Sequence, residues 1–379
     1  MRSAARFVTV GRLASLLVVS ACSGATGATE AATSAGVKAD AGHADARGSS
    51  GGESGFGGDA ATDVYLVPPT WTGGAAKVLA SGVDGIGIAV DESNVYAQGA
   101  GGAIFACPLA GCSGEKPTQL SALIGSTDTL ETVVASGGVA TFLTSQGGSI
   151  SSVPFAQPKQ TSTDFETTGT IGALITDGSS VYFTNNVPTD GGSNILSLDS
   201  CPITGDCSSP VTLYAPGPND DIYALGPISV VAQQVFFVVN GDNTSIDAVG
   251  TGGGTPQVIC TSSMLEGVQS ILAVGGYVYF TSSFDSTSIY ACPASGGEAK
   301  VFLEDYAPYA LATDGTNLYW TNYVPTTGTV ATCALGAKCS NPLTVASKQD
   351  APFAITASTN GVYWTTGTSI IGATAPPAP

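Results

Sequence analysis

One phrase recurs through this chain, and few folds can repeat it so often. The stretch LATDGTNLYWTNY (311–323) reads as a strand, a tight Asp-Gly turn and a second strand. Close copies are ILAVGGYVYFTSS (271–283) and LITDGSSVYFTNN (174–186). Weaker ones are IAVDESNVYAQ (88–98), VVASGGVATFLTS (133–145), VVAQQVFFVVN (230–240) and ITASTNGVYWTTG (355–367), so there are seven copies. Asp-Gly between two apolar runs is a strong hairpin signal, because both residues tolerate the positive φ of primed turns. Elsewhere, short β-branched and aromatic runs alternate with Gly, Asn, Asp, Ser and Pro, without long helical periodicity. The chain reads as all-β.

Each unit carries four strand signals. In one of them these are Tyr309–Thr313, Leu318–Thr321, Gly328–Thr332 and Leu343–Ala346. Second strands begin near Val95, Val139, Val181, Val235, Val278, Leu318 and Val362, at spacings of 44, 42, 54, 43, 40 and 44 residues. A four-stranded unit at this period points to a β-propeller, in which each blade buries its sheet against two neighbours. The count is seven blades, with six or eight as alternatives because 186–194 and 215–227 hold extra residues. Closure is legible too. After a third strand at Ser369–Ala373 the C-terminal unit lacks a fourth, while Lys77–Ala80 is an orphan whose context, GGAAKVL (73–79), matches GGEAKVF (296–302). The first and last segments are therefore expected to pair and close the ring. Asp63–Val67 could add an outer edge or a competing third strand.

The second-strand phrase resembles the bacterial Leu-Tyr-Trp-Thr propeller repeats, which are similar to the YWTD repeats of lipoprotein-receptor propellers. Leu318–Thr321 and Val362–Thr365 match, and Val181–Thr184 and Val278–Thr281 come near. The resemblance covers about 63–375 and implies the fold, but little about activity, since propellers host many functions. Asn322, Thr366, Asn185 and Ser282 stand where the family has its Asp, so that residue's inter-blade role is not implied here.

The 379 residues divide into three parts. In 1–21, Arg2, Arg6 and Arg12 precede the apolar run Leu13–Val19, too short to span a bilayer, as in a signal peptide. Val19-Ser-Ala-Cys22 resembles the bacterial lipobox, which implies cleavage after Ala21, lipid attachment at Cys22 and anchorage in the cell envelope. Ser23 after the Cys favours the outer membrane. The alternative is an ordinary signal peptide containing a Cys. Residues 22–62 are Gly, Ala, Ser and Thr with almost no bulky side chain, a tether with too little apolar surface to offset its ordering entropy. The propeller occupies 63–379, with a monomer as the expected state.

Charge narrows the function. The chain carries 29 Asp and Glu against 11 Lys and Arg, and after Asp63 it has no Arg or His. Nucleic-acid binding needs phosphate-neutralising cations and is excluded. A nucleophilic triad lacks its His base. Besides Cys22 there are eight cysteines, an even number in an exported chain. Cys107 with Cys112, Cys201 with Cys207, and Cys333 with Cys339 each flank a turn after a third strand and are assigned as disulfides. Cys260 and Cys292 remain for a bridge between adjacent blades. A metal site on these pairs is disfavoured, because they fall in different blades and no His is available.

An acid precedes nearly every first strand: Asp84, Asp128 or Glu131, Glu166, Asp221, Glu266, Asp305 and Asp350. Brought around a ring, these would form an acidic rim, with Phe165, Tyr223, Tyr306, Tyr309 and Phe353 nearby. The rim could hold Ca²⁺ or a cationic ligand, since hard cations favour clustered oxygens; no other cofactor is implied. The alternative is that the acids are turn residues and the aromatics inter-blade core. Asp91, Asp177 and Asp314 fall at turns on the opposite face and read as structural. Two functions follow. The favoured one is a lipid-anchored extracytoplasmic module binding a protein, peptide or glycan. The other is a metal-dependent, lactonase-like hydrolase using carboxylates around a divalent cation.

Overall fold

The computed structural model describes residues 70–83, 85–99, 102–121, 133–144, 148–189, 194–203, 207–217 and 220–376. The segments read as signal peptide and tether, with Cys22, Asp63–Val67, Asp84, Asp128 and Glu131, lie outside the described residues. Those described form seven four-stranded antiparallel sheets arranged as the blades of a β-propeller. Blades 1 to 6 span 85–119, 133–166, 170–214, 222–261, 268–304 and 308–349. Blade 7 takes three strands from 355–374 and its outermost strand, Lys77–Ser81, from the other end of the sequence. Lys77 pairs with Gly372 and Ser81 with Ser369, so the ring closes as the orphan strand suggested.

The long 54-residue interval is not an extra blade. Blade 3 extends its second and third strands to nine residues each, Ser180–Pro188 and Asn194–Pro202. Blade 4 begins with a ten-residue inner strand, Ile222–Val231. Much of the residue surplus read as loop is therefore strand. All four cysteine pairs are disulfides, with Cys260–Cys292 joining blade 4 to blade 5.

The repeated phrase has a distinct job at each position. Val95, Val235, Val278, Leu318 and Val362 are fully buried, as are Trp320 and Trp364, and the core runs between blades rather than within them. One cluster joins Tyr279, Ile289 and Phe302 of blade 5 to Leu311, Leu318 and Trp320 of blade 6. Burying such a side chain contributes about 1.5–3 kcal/mol, so adjacent blades stabilise each other. The tyrosine runs outward along the second strand to the turn before it. Its hydroxyl donates to an aspartate five residues earlier: Tyr96 to Asp91, Tyr182 to Asp177, Tyr319 to Asp314, at 2.7–2.9 Å. The same carboxylates accept turn N–H groups, from Ser93 and Asn94, Ser179 and Ser180, and Thr316 and Asn317. These three aspartates are thus structural, as read from sequence. Burial alone would raise the Asp177 and Asp314 carboxyls, but the donors outweigh it and hold both below the ordinary range.

The threonine ties blades together. The inner strand of blade 6 loses ladder register between Pro308 and Leu311, which frees backbone groups there. Thr321 fills the gap: its Oγ1 accepts from Ala310 N–H at 3.2 Å and donates to Phe353 O of blade 7 at 2.9 Å. Thr281 likewise donates to Tyr309 O of the next blade, and Thr365 accepts from Ala354 N–H. The residue after the threonine, where the YWTD family has Asp, pins the connection entering its own blade. Asn322 donates to Asp305, Ser282 to Glu266 O, and Asn185 accepts from Thr167.

Candidate functional site

Strand order fixes the two faces of the disc. Blade-to-blade connections and second-to-third-strand loops share one end, here the top. First-to-second turns and third-to-outer connections share the bottom. Of the expected rim acids, Glu166, Asp221, Glu266, Asp305 and Asp350 stand on the top connections, but they do not converge. Among the described residues no group of three or more His, Cys, Asp or Glu side chains is placed to hold a metal ion. Asp305 is engaged internally: its Oδ2 accepts from Trp320 Nε1 at 2.7 Å and Asn322 Nδ2 at 3.0 Å. Gln349 does the equivalent for Trp364. Asp350 accepts from Thr326 N–H, while Glu166, Asp221 and Glu266 are exposed.

Among the described residues, the cavity on the ring axis has no carboxylate in its lining, whose only side-chain oxygens are those of Thr176, Ser270 and Thr356. Its volume is about 240 Å³, and it is lined by the inner strands of all seven blades. At matching register these contribute Ile88, Val134, Leu174, Ile228, Ile271, Leu311 and Ile355, one aliphatic side chain per blade. Hard cations take six or more oxygen ligands, and these side chains supply none.

What the top face does assemble is a group of aromatic rings, a strip over blades 5 and 6 that reaches the connection into blade 7. Phe284 and Tyr306 are each 72% exposed and Tyr323 is 39% exposed. Backbone bonds knit their loops together. Ala307 N–H donates to Ser286 O at 2.8 Å, and Tyr323 N–H donates to Ala307 O at 2.9 Å. Gly267, at φ +70°, lets the Phe284 ring lie against its backbone, where a Cβ would sit 2.5 Å from the ring. Tyr323 rests on Tyr309 and Phe353, with ring centroids 4.9–5.7 Å apart within the trio. Burial, then the neighbouring Tyr323, push the Tyr309 hydroxyl up to about 12, so it is a neutral base for the platform. Beneath the strip, Asn322 is 7% exposed and its Oδ1 has no hydrogen-bond partner. Sequence offsets flagged Tyr306, Tyr309 and Phe353 but missed Phe284 and Tyr323, which stand two residues and one residue after the second strands of blades 5 and 6.

Charge is polarised across the disc. Lys77, Lys116, Lys159, Lys300 and Lys338 lie at third-to-outer connections or the first residues of outer strands, at the bottom. Only Lys348 lies at the top end of an outer strand. The top connections and loops around the strip carry Glu266, Asp285, Glu304, Asp305 and Asp350. Asp285 is a fourth instance of the tyrosine–aspartate pairing, here at a top loop: hydrogen bonds from the Thr287 and Tyr290 hydroxyls hold its carboxyl down at about 2. Two carboxylates are buried within blades, Asp199 and Asp247, accepting from Ser197 and Thr212, and from Ser245.

No protein-family model and no curated protein matches the sequence. Solved structures match the fold. A catalytically inactive histidine-to-alanine variant of virginiamycin B lyase from Staphylococcus aureus, with quinupristin, superposes at TM-score 0.54 and 14% identity, over 79% of this chain and 98% of that one. YCF48 bound to D1 peptide matches at TM-score 0.55 and 10% identity, over 82% of this chain and 99% of that one. PorZ, a surface component of the type-IX secretion system of Porphyromonas gingivalis, matches at TM-score 0.51 and 10% identity, over 80% of this chain and 40% of that one. At such identities the likeness is one of fold, in propellers that include both an enzyme and a peptide-binding protein.

Proposed function

We propose that this chain is a lipid-anchored extracytoplasmic binding module whose top face docks a protein, peptide or glycan. The carrying observation is the exposed aromatic strip of Phe284, Tyr306 and Tyr323 on a platform of packed rings. Exposed apolar patches on a folded monomer mark interaction surfaces, and tyrosine supplies large contact area at small entropic cost. A peptide-bound propeller among the structural matches supports the reading. The lyase chemistry finds less support: the inactivating replacement in that enzyme is of a histidine, and this chain's one histidine is His43. A metal-dependent hydrolase needs carboxylates converging on an ion, and the described residues bring no such group together. Anchorage rests on the lipobox resemblance at Val19–Cys22.

Two experiments test the proposal. Cys22→Ala should move the protein from the membrane pellet to the soluble fraction and abolish labelling by a palmitate analogue; unchanged labelling refutes the anchor. Cross-linking from a photoreactive residue at position 306 should capture an envelope component that the same probe at bottom-face position 298 does not. Equal capture from both faces refutes a top-face site.

A further inference from the structure

Stacking rings alone do not distinguish ligands, since sugars, apolar side chains and cations all use them. The frame around the strip makes the distinction. Glu266 adjoins the glycine under Phe284, Glu304 stands two residues before Tyr306, and Asp350 holds the loop that follows Tyr323. All three acids are exposed, and five of the six lysines that follow residue 70 are on the other face. A neutral ligand would gain nothing from this separation of charge. An anionic ligand would be repelled by it. A cation over a tyrosine or phenylalanine face is attracted by the ring quadrupole, and surrounding carboxylates add steering and specificity.

We infer that the strip takes a cationic polypeptide segment in which Lys or Arg side chains lie over Phe284, Tyr306 and Tyr323. The inference rests on the reading of the top face as the binding face and names its ligand. Phe284 and Tyr323 stand on the second-to-third-strand loops of blades 5 and 6, Tyr306 stands on the connection between those blades, and the backbone bonds that join these loops present the rings in series. An extended segment fits that layout better than a compact small molecule.

The test uses the full chain and three probes: a dodecapeptide of alternating Arg and Gly, its Ser-Gly counterpart, and maltohexaose. An acidic protein will attract any basic peptide weakly, so the deciding variant leaves charge untouched. Phe284→Ala with Tyr306→Ala should weaken Arg-Gly binding roughly five- to thirtyfold, the scale of two exposed cation–π contacts. Glu92→Gln with Glu298→Gln, which removes two bottom-face charges, should change it less than about twofold, because exposed charges far from a site are largely screened. Neither neutral probe should bind. Arg-Gly binding that is indifferent to the ring substitutions would be the attraction of an acidic chain alone and would overturn the inference. A neutral probe that binds as tightly, and is lost with the rings, would keep the top-face reading and refute the cationic ligand. Absence of binding by all three probes would count against both.

Discussion

Thr321 offers a sharp test of how the blades are held. Its hydroxyl satisfies Ala310 N–H in its own blade and Phe353 O in the next, and the residue is fully buried. Thr321→Val keeps shape and volume but removes both bonds. Ala310 N–H sits where the inner strand leaves ladder register, and Phe353 O lies before the first strand of blade 7, so no ladder partner is waiting for either. Each orphaned buried backbone group costs about 1–3 kcal/mol, so the variant should lose about 2–6 kcal/mol. With unfolding entropy near 2.1 cal/mol/K per residue, a domain of about 300 residues should melt roughly 3–10 °C lower. Thr321→Ser retains the hydroxyl and gives up one methyl, a loss of about 1 kcal/mol. Thermal and urea melts of the two variants measure the difference, and amide exchange at Ala310 locates it. Exchange there should quicken in the valine variant and stay slow in the serine variant. If valine melts with the wild type, or serine falls as far as valine, the inter-blade role assigned to the motif threonine is wrong.

Asp247 is buried, and desolvation raises its carboxyl despite the Ser245 bond. A raised folded value means stability is present below the ordinary carboxylate range and is lost as pH rises through the folded value. Asp247→Asn should therefore raise the urea midpoint at pH 7 and leave it little changed at pH 3. The turn and loop aspartates work in the opposite direction. Asp177, Asp285 and Asp314 are depressed, so their contribution is present above the ordinary range near 4 and is lost as pH falls through their folded values, which for Asp285 is about 2. Asp285→Asn should flatten part of the acid limb of a stability–pH curve measured between pH 5 and 2, and an unchanged limb refutes the assignment. Opening the Cys260–Cys292 bridge by paired serine substitutions frees a 32-residue loop and should cost about 3–4 kcal/mol. Opening Cys333–Cys339, which spans six residues, should cost about 2 kcal/mol, and denaturant melts should rank the two in that order.

Much of this architecture is carried by local signals. The Tyr-Trp-Thr phrases, the Asp-containing turns and the 40-residue period each depend on neighbours a few positions away, so the blade count and the bottom-face aspartates could be read directly. Closure by Lys77–Ser81 was legible because the outer strand of blade 5 has nearly the same lead-in. The top face was not legible in the same way. Asp305, Asp350 and Glu166 each fall shortly before a first strand, yet Asp305 is bound by Trp320 and Asn322, Asp350 by a loop N–H, and Glu166 is exposed. Offset from a strand places a residue on a connection, but its partner depends on which bulky side chain the adjacent strand presents. A tryptophan at 320 claims the acid, whereas the phenylalanine at 280 has no N–H with which to claim one. Phe284 and Tyr323 were hidden because each sits in a loop whose position depends on the neighbouring connection. The tyrosine–aspartate spacing of five, evident at 91–96, also runs from 285 to 290 and could have marked that loop.

The strand that closes blade 7 also defines the route by which force would enter the molecule. A pull on the residues before Trp71 meets first the Trp71 ring against Tyr319 and the Gly74 N–H bond to Thr374 O, and then Lys77–Ser81, whose registered partners are Ser369, Ile370, Ile371 and Gly372. Traction applied at the Lys77 end loads those pairs one after another, as a zipper is opened, rather than all together in shear. The seam should therefore yield under tension long before any blade-to-blade core, and the ring would open like a clasp with six sheets still intact. A propeller tethered at that end to a moving surface would have its mechanical threshold set by this one short segment, Trp71 through Ser81.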